Sequence, residues 1–170
     1  VSTPISCLSE IGSCPSARDW VTAGKFPDLE SAWISCDDPS WLLWYAARVS
    51  GGPTTKARKK VVLCAVECAR LALPIFEKQF PNDKRVRVCL DTTEAWTRGE
   101  VGIDEVRKAR AAAAYAAYAA LAADAALAAD AAALAAIAVA VAADDRERVL
   151  KLCAEIVKKH YPTLPHPESS

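Results

Sequence analysis

With 170 residues, twenty-one basic and twenty-one acidic side chains, the chain is long enough to bury a core unaided and carries no net charge. Neutrality excludes the global field that would recruit nucleic acid or an anionic membrane, so charge can act only through local patches. Seven cysteines, an odd number on helical segments, argue against a secreted disulfide scaffold and for reduced thiols in a cytoplasmic setting, and no N-terminal segment reads as a signal peptide.

Helix follows helix, without the period-two alternation of a strand. Cys7 to Ile11 makes one short turn. Pro15 opens a second helix over Ser16 to Ala23, which Gly24 stops. Pro27 opens a third, Asp28 to Ile34, with acidic residues in its first turn. Asp38 caps a fourth at Pro39, and Gly51-Gly52 ends it. Thr54 or Thr55 caps the clearest amphipathic helix. Its stripe is Ala57, Val61, Cys64, Cys68, Leu71 and Ile75, and Pro74 should kink or end it. Asn82 or Asp83 caps the next, with Val86, Cys89, Leu90, Thr93 and Trp96 inward and Gly99 closing it. After Gly102, Ile103-Asp104-Glu105 opens a long helix. Asp144-Asp145 caps the last one, with Val149, Cys153, Ile156, Val157 and His160 on one face and Pro162 as its stop.

The long helix runs into an alanine tract, twenty-three alanines in the thirty-three residues from Ala111 to Ala143. Alanine is the best helix former, and a coat of methyl groups lets neighbours approach on all sides. Its other residues recur every third position from Tyr115 to Asp130 and so wind around the axis. That rhythm suits a central helix. Ile103 to Ala143 unbroken would span about 60 Å, against a domain diameter of roughly 40 Å. A break is therefore expected near Asp124–Asp130. The same aspartates, at about 2.5–3.5 kcal/mol each in a bilayer, exclude a membrane span. The expectation is an all-α, single-domain bundle of about seven to nine helices around this central helix. Residues 1–161 form the domain, and 162–170 a flexible tail.

Catalytic groups are scarce. No Walker loop, dinucleotide glycine pattern, HExxH or GxSxG occurs, so no enzyme, no cofactor and no catalytic residue is expected. Glu67 has Arg70 three residues on, a structural pairing. Cys64 and Cys68 with Cys153 and His160 could in principle hold zinc, but the cysteines fall on apolar stripes and read as core, so no metal is expected. Lys56, Arg58, Lys59 and Lys60 read as a solvated helix face rather than a nucleic-acid footprint. Tryptophan is concentrated early, at Trp20, Trp33, Trp41 and Trp44, with only Trp96 later.

The blocks CLSEIGSCPSARDW, ESAWISCDDPSWLLWYAARV, KKVVLCAVECARLALP, TTEAWTRGE, EVRKARAAAAYAAYAA and ERVLKLCAEIVKKHYP occur in this order. Together, from about Cys7 to Pro162, the chain resembles the alanine-rich immunity proteins of bacterial polymorphic toxin systems. The resemblance implies a small cytoplasmic protein that binds a cognate toxin and blocks it, without catalytic residues. It leaves Trp41, Trp44, Cys68, Arg70, Glu94 and Trp96 with architectural roles. Acidic patches suit binding to basic toxin surfaces, so Asp28, Glu30, Asp37 and Asp38, with Trp33 or Trp41, form the expected partner-binding site. No nucleic acid or membrane partner is expected. The alternative is a scaffold module that self-associates as a homodimer through its alanine-rich helix.

Overall fold

The computed structural model describes residues 4–52, 55–120 and 143–166. Eight helices and no strand occur among them: α1 (Pro4–Glu10), α2 (Pro15–Gly24), α3 (Leu29–Ser35), α4 (Pro39–Val49), α5 (Lys56–Gln79), α6 (Arg85–Arg98), α7 (Ile103–Ala120) and α8 (Ala143–His160). The all-α bundle expected from periodicity is thus the observed class.

Local chemistry sets most boundaries. Asp28 accepts the Ser31 N–H at 2.8 Å to start α3, and Asp38 accepts those of Ser40 and Trp41 at 2.8 and 3.2 Å to start α4. Thr55 accepts the Arg58 N–H at 3.0 Å for α5. Each bond satisfies a donor that a helix start leaves orphaned. Gly99, at φ 81°, closes α6, where Gly99 N–H reaches Trp96 O and Glu100 N–H reaches Ala95 O. At the end of α2 the left-handed residue is Lys25, at φ 51°, and not Gly24. Gly24 has another job: a Cβ there would sit 2.2 Å from the Phe26 ring, so its hydrogen lets the ring fold back.

Three expectations shift. The fifth helix continues through Pro74 to Gln79, because Pro74 lies on the exposed side where water can replace the lost helical bond. Asp83 accepts the Arg85 N–H, but Lys84 occupies the capping position of α6. Asp144 and Asp145 lie inside α8 rather than before it.

The main core joins α3, α4, α5 and α8. It holds Trp33, Leu42, Leu43 and Ala46 with Val61, Cys64, Cys68, Ala72, Val149, Cys153 and Val157. Val61, Cys64 and Cys68 are the expected stripe of α5. A second face of the same helix, Val66, Ala69 and Leu73, packs on Leu90 of α6. A satellite core of Leu8, Val21 and Ala32 ties α1 and α2 to α3.

Buried on two sides, α5 is the central helix of the described residues. The described part of α7 packs mainly on α6, and the rest of the alanine tract expected to be central, 121–142, lies outside the described residues. The expected break near Asp124–Asp130 and the surface for self-association lie outside the described residues. At the C-terminus, where the sequence reading expects a tail from 162, Leu164 is buried and its N–H donates to Glu30 at 3.0 Å.

Candidate functional site

The acidic residues expected to meet a partner gather on α3, α4 and the turn between them, in different local roles. Asp28 and Asp38 are the two capping residues. Hydrogen bonds from Ser31 hold the Asp28 carboxyl below its ordinary range. Glu30 accepts the Leu164 N–H and so pins the C-terminal segment. Asp37, whose side chain is 83% exposed, pairs with Lys158 of α8 at 2.8 Å. Among the described residues no ammonium or guanidinium group lies at ion-pair distance from Asp28, Glu30 or Asp38.

The two tryptophans expected beside them part company. Trp33 is only 5% exposed; its indole N–H donates to Tyr161 O at 3.0 Å, and its ring meets Tyr45 and Tyr161 at 5.8 and 6.4 Å. It is a core strut, not a surface anchor. Trp41 is half-buried against Trp20, with ring centroids 5.9 Å apart. The side chains that do stand out here are ones the sequence reading did not single out for contact: Ile34 at 57% and Trp44 at 37% exposure. Ile34 follows Trp33 by one residue and so is turned about 100° away from it, whereas Trp44, three residues after Trp41, shares its side of α4, so spacing alone does not single it out. Between α2, α3 and α4 an open cleft of ≈ 60 Å³ is walled almost wholly by apolar atoms, and Trp44 is among its lining residues.

This corner is also acidic. Residues 1–52 hold three basic side chains, Arg18, Lys25 and Arg48, against six acidic ones. Both arginines are engaged by backbone carbonyls, Arg18 by Ser13 and Arg48 by Ile11 at 2.9 Å. They neutralise none of the carboxylates by contact.

Residues 53–110 reverse the balance, with thirteen basic side chains against eight acidic. Most of these acids are clamped. Arg70 of α5 reaches Asp91 and Glu94 of α6 at 2.7 and 2.5 Å, and Arg98 reaches Glu94 and Glu100. Arg87 holds Glu77, and Arg85 holds Asp83. The Arg85 guanidinium brings the Asp83 carboxyl down to about 2, and Arg70 lowers that of Glu94. Arg70 thus bridges to α6 rather than pairing with Glu67, which instead meets His160 of α8 at 3.0 Å. The basic cluster of α5 is drawn inward by aromatic rings: Lys59 lies 5.5 Å from the Trp96 centroid and Lys60 4.4 Å from that of Tyr161. An open groove of ≈ 670 Å³ lies where Phe80, Val88, Ala109 and Ala112 meet, beside Asp83, Lys84 and Arg85.

The thiols are structural. Cys68 and Cys153 each point at the other's carbonyl oxygen, at 3.7 and 3.9 Å, where α5 and α8 touch. The contact with Cys153 lowers the Cys68 thiol, but Cys64 and burial outweigh it and leave it at about 12. The hydrogen bond with Cys68, then burial, raises that of Cys153. Thiols so hard to ionise are poor nucleophiles and metal ligands. Among the described residues no group of three or more His, Cys, Asp or Glu could hold a metal ion, and no helix is long and apolar enough to cross a membrane.

A family model described as "Imm-5 like putative immunity protein" matches residues 53–161, which run from just before α5 to just after α8. No curated protein and no solved structure matches the chain. The acidic, tryptophan-rich α1–α4 lies outside the matched segment.

Proposed function

The chain belongs to the Imm-5 like immunity protein family, and from that membership we propose that it binds a cognate bacterial toxin in the cytoplasm and blocks it by covering its surface, without chemistry of its own. The observation that carries the choice of face is the α3–α4 corner. It carries the capping aspartates Asp28 and Asp38, the exposed Asp37 and the exposed apolar Ile34 and Trp44, on a segment anchored into the main core by Trp33 and Leu42. A rigid surface loses little entropy on binding. Carboxylates steer a basic partner and speed its approach, Asp28 and Asp38 directly and exposed Asp37 in exchange for its Lys158 partner. Aromatic and aliphatic side chains beside them supply buried area at the centre of a contact. Glu30 and Trp33 serve the site from behind, by holding the C-terminal segment in place, and Trp41 packs on Trp20 at the edge of the cleft.

The test separates charge from fold. Asn caps a helix about as well as Asp, so Asp28→Asn, Asp37→Asn and Asp38→Asn together remove three charges while keeping both caps. Co-expression with the toxin encoded beside this chain's gene should restore growth with the native chain. The triple variant should bind the purified toxin at least tenfold more weakly, chiefly through slower association. A toxin left fully active by the native chain overturns the function, and unchanged affinity in the triple variant overturns the face.

A further inference from the structure

The cleft in the α2–α3–α4 corner is walled by Ala17 and Trp20 of α2, Leu29 and Ala32 of α3, and Trp41 and Trp44 of α4, among others. A water needs about 10–15 Å³ of such space and two to four polar partners. A volume of ≈ 60 Å³ is room for several waters, but its walls offer almost no polar atoms. Water there is poorly satisfied and easily displaced. A compact aliphatic side chain suits the space, whereas an aromatic ring is bulky for it.

Charge narrows what carries that side chain. The two helices that supply Leu29, Ala32, Trp41 and Trp44 begin on Asp28 and Asp38, and exposed Asp37 lies between them in sequence. The segment that holds these elements has twice as many acidic as basic side chains, and its two arginines are engaged by carbonyls. A cationic segment is attracted to such an acidic stretch of chain, and Lys or Arg stems can lie along the exposed Trp44 face.

We propose that this cleft is the anchor pocket of the toxin-binding face, and that it takes one leucine-sized aliphatic side chain flanked by Lys or Arg on a segment of the toxin. The proposal rests on the immunity reading for its partner, but the pocket's chemistry can be tested without a toxin. The full chain, labelled with ¹⁵N at tryptophan, is titrated with the peptide acetyl-Lys-Lys-Leu-Lys-Lys-amide. Its five indoles give separate probes.

The indole signals of Trp20, Trp41 and Trp44 should move saturably, and that of Trp96, on α6, should stay. Replacing the peptide's Leu by Ala should weaken binding at least tenfold, and replacing its four Lys by Glu should abolish it. Ala17→Leu, which fills the cleft from within, should abolish binding while leaving the indole spectrum that of a folded protein. Equal binding of the Leu and Ala peptides overturns the pocket. So does an equal shift at Trp96, or binding undiminished in a folded Ala17→Leu. Binding only after removal of residues 167–170 also overturns it, since the chain's own end would then be the occupant. The peptide comparison needs no variant to fold. Peptide binding with no toxin rescue sinks the immunity reading and spares the pocket's chemistry; rescue with no peptide binding does the reverse.

Discussion

The two halves of the described chain handle charge in opposite ways. In α5 and α6 carboxylates are gripped by arginines: Arg70 by itself holds Asp91 and Glu94, and Arg87 and Arg85 hold Glu77 and Asp83. In α1–α4 the arginines turn to backbone carbonyls, Asp28 and Asp38 cap helices, and exposed Asp37 pairs with Lys158 of α8. A clamped carboxylate presents a nearly neutral pair to the outside, whereas a capping carboxylate keeps its charge. Among the described residues α5 and α6 largely satisfy their own charges, whereas no basic side chain reaches Asp28 or Asp38, and open charge is what a partner can use.

The largest test of that contrast asks whether the halves are one cooperative body. Leu42 is 1% exposed and lies in the core that α4 shares with α5 and α8. Leu42→Ala should cost about 2–5 kcal/mol, read by urea unfolding, with the signals of α4 and α6 tryptophans lost together. Two separate transitions would break the comparison into two independent units. Next comes the division of labour between charges. Asp91→Asn with Glu94→Gln removes the Arg70 clamp, whose members are a third to a half exposed, and should cost no more than about 1 kcal/mol. Toxin affinity should stay unchanged, in contrast to the tenfold or greater loss from the Asp28, Asp37 and Asp38 variant.

A finer pair of variants probes the seam between the halves. Trp33→Phe leaves Tyr161 O without its indole donor and should destabilise by about 1–3 kcal/mol. Tyr161→Phe removes a buried hydroxyl that has no hydrogen-bond partner among the described residues, and should be neutral or stabilising in the same melts.

The dependence on pH has opposite slopes at the two extremes. Burial raises the Tyr161 phenol to about 12, and Cys64 and burial hold Cys68 at about 12, against ordinary values of 10 and 9. The folded chain therefore keeps protons that the unfolded chain releases, and stability should fall as pH rises from 9 toward 12. The clamped Asp83 and Glu94 behave oppositely: the unfolded chain takes up protons first, so stability should fall as pH drops from about 4.5 toward 2. Thermal melts across both ranges check the signs. Arg70→Met should flatten only the acid limb.

The sequence reading succeeded where the controlling contact is local. Asp38, Thr55 and Gly99 act within four residues of themselves, so their roles are legible without a fold; Asp28, expected inside the first turn of α3, is instead its cap. The Val61, Cys64 and Cys68 stripe is equally local in its periodicity. Reading failed where two orientations satisfy the same periodicity. Nothing local says that Trp33 turns inward and Trp44 outward, that Glu67 meets His160 rather than Arg70, or that Lys60 lies over Tyr161. The candidate site suffered most, because whether an aspartate is clamped depends on which arginine the fold delivers to it.

By itself, then, the sequence determined the helical class, the caps at Asp38, Thr55 and Gly99, and the absence of strands among the described residues. Propensity, capping and amphipathic period are properties of neighbours along the chain. Tertiary structure alone decided that α5 is buried on two sides and so is central among the described residues. It also decided which carboxylates remain unclamped and that an apolar cleft opens between α2, α3 and α4. Those are properties of neighbours in space, set by which faces must be buried together.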